Sequence, residues 1–173
     1  MGASSSTLQV AVTDKVALVK ISGRASFNSS VEFKTLVYEL RARGYRKFIL
    51  DLTECLIMDS TFLGVLAGFG LKLNESAEKP TVTLLNPNER ILDLLENLGV
   101  AHLFQLVQGT EPLSQKCREA RPTDGARSKV ETARVCLEAH ELLMSINPAN
   151  IPKFKDVTRF MAEDLKRLET QKS

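Results

Sequence analysis

The sequence predicts an α/β layer structure followed by a separate α-helical hairpin. Three patterns predict it. Two β-branched, alternating segments at 8–13 and 16–21 flank a polar Asp14-Lys15 pair. Short apolar strands then alternate with helically spaced apolar residues as far as residue 107. Beyond residue 126 only two helical stripes remain.

The first two segments, LQVAVT and VALVKI, read as a hairpin closed by a tight turn. SGRASFNSS reads as a loop. In VEFKTLVYELRARG, Phe33, Leu36, Val37 and Leu40 recur at helical spacing, and Gly44 stands where a helix ends. KFILDLTE is a short apolar strand. A helix is expected from about Ser60 to Asn74, with Leu63, Leu66, Ala67, Gly70 and Leu73 on one face. TVTLL (81–85) is a strand, and Asn86-Pro87 opens the helix NERILDLLENLG, which Gly99 ends. LFQLV (103–107) is the last strand. Strands alternating with helices imply right-handed crossovers between parallel neighbours.

From Thr110 the periodicity stops, and prolines, a glycine and mixed charge mark a linker or an extended wrap. The expected organisation is residues 1–109 as the α/β domain, 110–126 as the linker and 127–173 as the hairpin. Its first helix carries Val130, Ala133, Leu137, His140 and Met144 at three-four spacing, with Leu143 beside them. NPANIP breaks the chain, and Phe154, Val157, Met161, Leu165 and Leu168 form the second stripe. Neither helix buries its stripe alone, so the pair is expected to dock on the first domain, on a second copy as a homodimer, or on a partner. Packing within the hairpin and on the first domain is the plainer reading of the Leu143/Met144 and Phe160/Met161 clusters.

The totals exclude several classes. Lys and Arg number 23 and Asp and Glu 21, a net charge of +2 without a clustered basic face, which argues against nucleic-acid binding. No apolar run approaches the ~20 residues that span a bilayer, and no secretory signal is visible, so neither a membrane nor export is expected. The start, MGASSS, matches a myristoylation pattern but reads as a frayed terminus. Cys55, Cys117 and Cys136 are widely spaced, lack a zinc pattern and suit reduced thiols in the cytoplasm. Neither a cofactor nor a metal is implied, and no Walker-type phosphate loop is present. Gly64 and Gly68 form a G-x-x-x-G, expected to let the helix pack closely on the sheet.

The most informative stretch is CLIMDSTFLGVLAGFG, residues 55–70. Asp59 and Ser60 fall between a strand and a helix, and either suits the N-cap, which accepts a hydrogen bond from a first-turn N–H. Unpaired N–H groups and the helix dipole favour an anion at the same place. Phosphorylation of Ser60 would add about −1.5 to −2 charge units there. Capping alone also accounts for Asp-Ser-Thr at a helix start.

The order hairpin, helix, strand, M-D-S-x-x-L-G-x-L helix, strand, N-P-x-x-x-x-x-L helix resembles the STAS domain of anti-sigma-factor antagonists, over roughly residues 8–108. The resemblance implies a STAS-like mixed β-sheet with alternating helices in a cytoplasmic, bacterial, non-enzymatic regulator. It further implies that Ser60 is phosphorylated by an anti-sigma factor serine kinase, which the unphosphorylated form binds, and that a phosphatase resets the cycle. Asp59, Thr61, Phe62, Leu63, Gly64 and Ser26 would shape the partner-binding surface. Thr61-Phe62 replace the usual Ser-Gly pair of the family, and Ser26 stands where it often has Asp. Thr61 also offers a second hydroxyl.

Two rivals differ in class. One is a non-phosphorylated STAS scaffold or homodimeric assembly module that acts through its C-terminal helices. The other, a serine hydrolase, lacks the G-x-S-x-G elbow and has only His102 and His140 to draw on. His102 is expected near the surface and His140 with its ring in a helix interface, so no catalytic residue is assigned.

Overall fold

β1 (Thr7–Val12) and β2 (Val16–Ala25) form the expected hairpin, antiparallel from Thr7↔Ser22 to Val12↔Ala17. The computed structural model describes residues 6–75, 77, 79–120 and 128–171. The MGASSS motif lies almost entirely outside them, as does the 121–127 part of the proposed linker. β2 is followed by α1 (Phe27–Ala42), β3 (Lys47–Asp51), β4 (Cys55–Met58), α2 (Ser60–Asn74), β5 (Val82–Leu85) and α3 (Glu89–Asn97). After them come β6 (Gln105–Val107), β7 (Arg118–Glu119), α4 (Lys129–Ile146) and α5 (Ile151–Gln171).

Among the described residues the sheet runs β6-β5-β3-β2-β1-β7, with β4 also on β2. β2 pairs parallel with β3 and β4, β3 with β5, and β5 with β6, so each helical crossover joins parallel strands. β1 is antiparallel to β2 and β7 is antiparallel to β1, so the sheet is mixed.

The expected loop 22–30 is mostly absent. β2 continues to Ala25 because the chain bulges at Gly23, φ 87°, and shifts register there, leaving β3 for β4. α1 therefore starts at Phe27, capped by Ser26, whose hydroxyl accepts from the Asn28 N–H. The strand β4 escaped the sequence reading, because CLIM is too short and half-exposed to show a period of two. α2 spans the expected residues. Asn88, not Asn86, caps α3, accepting from the Ile91 N–H at 2.9 Å. Asn86, φ 56°, instead ties the end of β5 to Gly109. Gly44 and Gly99 take positive φ just past α1 and α3, as their places in the sequence suggest.

The two sheet faces have different covers. Ala17, Val19, Ile21, Phe48, Leu50, Val82 and Leu84 face the helices, where Phe62 meets Phe33 and Phe69 meets Phe48 at ring distances of 4.6 and 4.8 Å. On the other face Leu18 and Ala11 pack beneath Leu113. Leu113 lies in a 3-10 turn, Pro112–Lys116, held by a hydrogen bond from the Ser114 hydroxyl to Asp51 at 2.7 Å. The stretch from 112 to 119 is thus a wrap that ends in β7, not a free linker.

α4 lies across α2 and α1, and α5 packs on α4. The predicted stripe of α4 is out of phase. Val135, Ala139, His140 and Leu143 are the buried residues, while Val130, Ala133, Leu137 and Met144 are half-buried. A helix packed by several neighbours carries apolar residues on more than one face, so no single stripe marks its main contact. The turn between α4 and α5 is pinned by Asn150, which is fully buried and donates to the carbonyls of Leu98 and Leu143 at 2.9 and 2.8 Å.

Candidate functional site

The N-termini of α1 and α2 meet at one end of the sheet, because β2 and β4 run parallel and end together at Ala25↔Met58. Asp59 joins them. Its N–H donates to Ala25 O, one carboxylate oxygen accepts from the Phe62 N–H and the other from the Phe27 N–H, both at 2.8 Å. Asp59 is therefore the cap of α2, and it also receives the first N–H of α1. Ser26, which caps α1, follows Ala25 directly, as Asp59 follows Met58.

With Asp59 as the cap, Ser60 occupies the first helical position and its hydroxyl is free of the capping role. That hydroxyl, half-buried, lies 2.8 Å from His140 Nε2. Nδ1 of the same ring is 2.8 Å from the carbonyl of Cys136. A carbonyl only accepts, so Nδ1 carries the proton; in the neutral ring Nε2 is then the acceptor and Ser60 donates to it. His140 is 3% exposed and sets its ring edge-on to Phe154 at 4.9 Å. The ring is in a helix interface, as expected, but its pairing with Ser60 across 80 residues of sequence was not foreseen.

Thr61 is buried beside Cys136. Burial pushes the Cys136 thiol up and the Asp59 carboxylate adds to this, while the neighbouring Thr61 hydroxyl opposes it. Phe62 and Leu63 are fully buried beneath α1 and in the core. They support Ser60 from below and present no side chain to a partner in this state. Gly64 is buried against α4: a Cβ there would lie 2.6 Å from both Cβ and O of Ala139. A Cβ on Gly68 would come within 2.8 Å of Leu142. The G-x-x-x-G ridge thus admits α4 rather than the sheet, a correction to the expectation above. The exposed apolar residues at this end are Phe27, Leu56 and Ile57. None of these three was singled out in the sequence, where Phe27 falls in the expected loop. His102 is exposed and far along the chain from this cluster, just ahead of β6.

The STAS domain family model matches residues 7–120. The anti-sigma-B factor antagonist of Staphylococcus aureus (strain NCTC 8325 / PS 47) is 28% identical over 104 residues, 60% of this chain and 94% of that protein. Among solved structures, the anti-sigma factor antagonist SpoIIAA in its unphosphorylated form superposes with a TM-score of 0.53 at 17% identity, covering 63% of this chain and 93% of that one. The Bacillus cell fate determinant SpoIIAA in the phosphorylated form gives 0.51 at 18%, covering 63% and 96%. An anti-sigma factor antagonist from Mycobacterium paratuberculosis gives 0.52 at 18%, covering 65% and 93%. α4 and α5 lie beyond the family match.

Proposed function

Since this chain belongs to the STAS domain family, we propose that it is a partner-switching regulator of the anti-sigma-factor-antagonist kind, with Ser60 as its phosphoacceptor. The observation that carries this reading is the division of labour at the start of α2. Asp59 makes the cap, so the Ser60 hydroxyl stands at a helix N-terminus without a capping duty. In the transfer, Ser60 Oγ bonds to the γ-phosphorus of a nucleoside triphosphate held by a partner serine kinase. The bond to the bridging oxygen breaks, the diphosphate leaves with the electron pair, and the hydroxyl proton passes to a base on the kinase. A phosphatase returns the hydroxyl by hydrolysis. The helix N-terminus favours the new charge by about 0.3–1 kcal/mol, while Asp59 next to it opposes it. A partner seated over this end, on Ser26, Asp59 and the exposed Phe27, Leu56 and Ile57, meets about −1.5 to −2 added charges and leaves.

The intact mass of the protein recovered from its native cells, beside Ser60→Ala and Thr61→Ala, tests this. One added phosphate lost only in Ser60→Ala supports the reading, and a phosphate lost only in Thr61→Ala removes it.

Two other readings each keep one observation. A scaffold acting through the C-terminal helices is favoured by α5, which leaves Ile151, Val157 and Phe160 exposed. A monomer at high concentration speaks against that homodimer. The Ser60–His140 hydrogen bond has the spacing of a nucleophile and base. However, the ring is oriented by a carbonyl, and Asp59 gives both oxygens to backbone N–H groups. Esterase activity on a generic ester is expected to be nil.

A further inference from the structure

We propose that α4 is a displaceable latch over Ser60: while α4 is seated, Ser60 neither receives a phosphoryl group nor meets a partner, and a phosphate on Ser60 holds α4 away. The proposal rests on reading Ser60 as the acceptor and adds the regulation of that site by the chain's own tail.

The geometry at the hydroxyl argues for it first. Ser60 Oγ and His140 Nε2 are at hydrogen-bond distance, 2.8 Å, so no atom fits between them. For transfer, Oγ must face the γ-phosphorus in line with the leaving diphosphate. The product then carries a phosphorus and three further oxygens on Oγ. The ring takes the proton side of Oγ, and α4, packed along α2 from this turn, stands on that side of the half-buried residue, so a kinase that must take Ser60 into its own active site meets α4 first. The ring cannot move alone, since its other nitrogen is held by the Cys136 carbonyl and its edge by Phe154.

The fit between α4 and α2 argues for it next. Thr61 meets Cys136, Gly64 meets Ala139 and Gly68 meets Leu142, so the two helices run alongside each other in one register from the Ser60 end. The small residues on both sides make this a seat shaped for a helix. The occupant is α4 of this chain, attached beyond the family match at residue 120.

The seat is held unequally. At the far end Asn150 makes two buried hydrogen bonds, and Lys153 donates to Asn97 O. At the Ser60 end the ties among the described residues include the Ser60–His140 bond and an exposed Lys34–Glu138 pair at 3.4 Å. Exposed pairs of that kind contribute about 0–1 kcal/mol. α4 is therefore built to lift from the Ser60 end while the hairpin turn stays anchored.

Hydrogen exchange of the full chain with phosphoserine installed at position 60 by genetic-code expansion tests this without any kinase. The comparisons are the unmodified chain, Ser60→Ala, and Ala139→Glu, which puts a charge in the seat. Peptides from α4 are expected to exchange at least roughly tenfold faster in the phosphoserine chain, as in Ala139→Glu, with β3 and β5 unchanged. Ser60→Ala is expected to stay closed, because the Gly64–Ala139 packing remains. The latch is overturned if α4 stays as protected with phosphoserine as without it, or if β3 and β5 open together with α4. A latch that opens while native Ser60 never carries phosphate leaves the latch standing and removes the acceptor reading; the reverse pair of results does the opposite.

Discussion

Replacing Gly64 by alanine sets two effects of opposite sign against each other in one helix. In isolation, alanine stabilises a helix interior by about 1 kcal/mol over glycine. Here the added methyl would sit 2.6 Å from the Cβ and carbonyl oxygen of Ala139, where ordinary contact begins near 3.4 Å. The obstacle is backbone, not the end of a flexible chain, so α4 must retreat by roughly 1 Å or leave. Overpacking of this kind costs about 1–3 kcal/mol. Complete departure exposes Val135 and Leu143, at about 1.5–3 kcal/mol for each side chain. The retreat is therefore the cheaper response, and it falls on α4 while the sheet keeps its packing. Native-state hydrogen exchange should show the opening free energy of α4 reduced by about 1–3 kcal/mol, with β3 and β5 unchanged. If α4 keeps its protection and the whole chain gains about 1 kcal/mol, as helix propensity alone dictates, the close approach of α2 and α4 is refuted.

Two further outcomes follow from other parts of the fold. Asn150→Ala removes two buried hydrogen bonds and leaves the Leu98 and Leu143 carbonyls unpaired, so urea denaturation should register a loss of about 1–3 kcal/mol; an unchanged midpoint would mean the turn is not an anchor. Burial pushes the Cys55 thiol from 9.0 up to about 11, against opposing hydrogen bonds with Ala25 and Ile57. The unfolded chain thus ionises first. The stability linked to this thiol is whole below pH 9.0, declines between there and about 11, and amounts to on the order of 2–3 kcal/mol. Cys55→Ala should flatten the alkaline decline by that amount, and an equal slope in both proteins would contradict the assignment.

Much of the fold was legible because its signals are local. The β-branched alternation around Asp14-Lys15, the span of α2, the Gly99 stop after α3 and the breaker NPANIP each act within a few residues. What escaped depends on distant parts of the chain. β2 outlasts its hairpin because Gly23 lets it change partners, and β4 is a strand because β2 is there to pair with it. The phase of α4 was misread because α2, α1 and α5 all pack on it. At the site, MDSTFLG marked the right junction, and the structure decided between Asp59 and Ser60 as the cap. The partner of Ser60 was beyond local reading, since nothing near His140 points to a serine 80 residues away. The available clue was a glycine ridge on α2 that required a small residue opposite, and Ala139 supplies it.

The most direct test joins the acceptor and its cover. Ser60 phosphate occupancy is measured by tandem mass spectrometry on full-length protein from native cells, in the unaltered chain and in Ala139→Glu. The account predicts phosphate on Ser60 with higher occupancy once the seat is spoiled. With the cover removed, no phosphate on Ser60, or a phosphate placed on Thr61 instead, would contradict it.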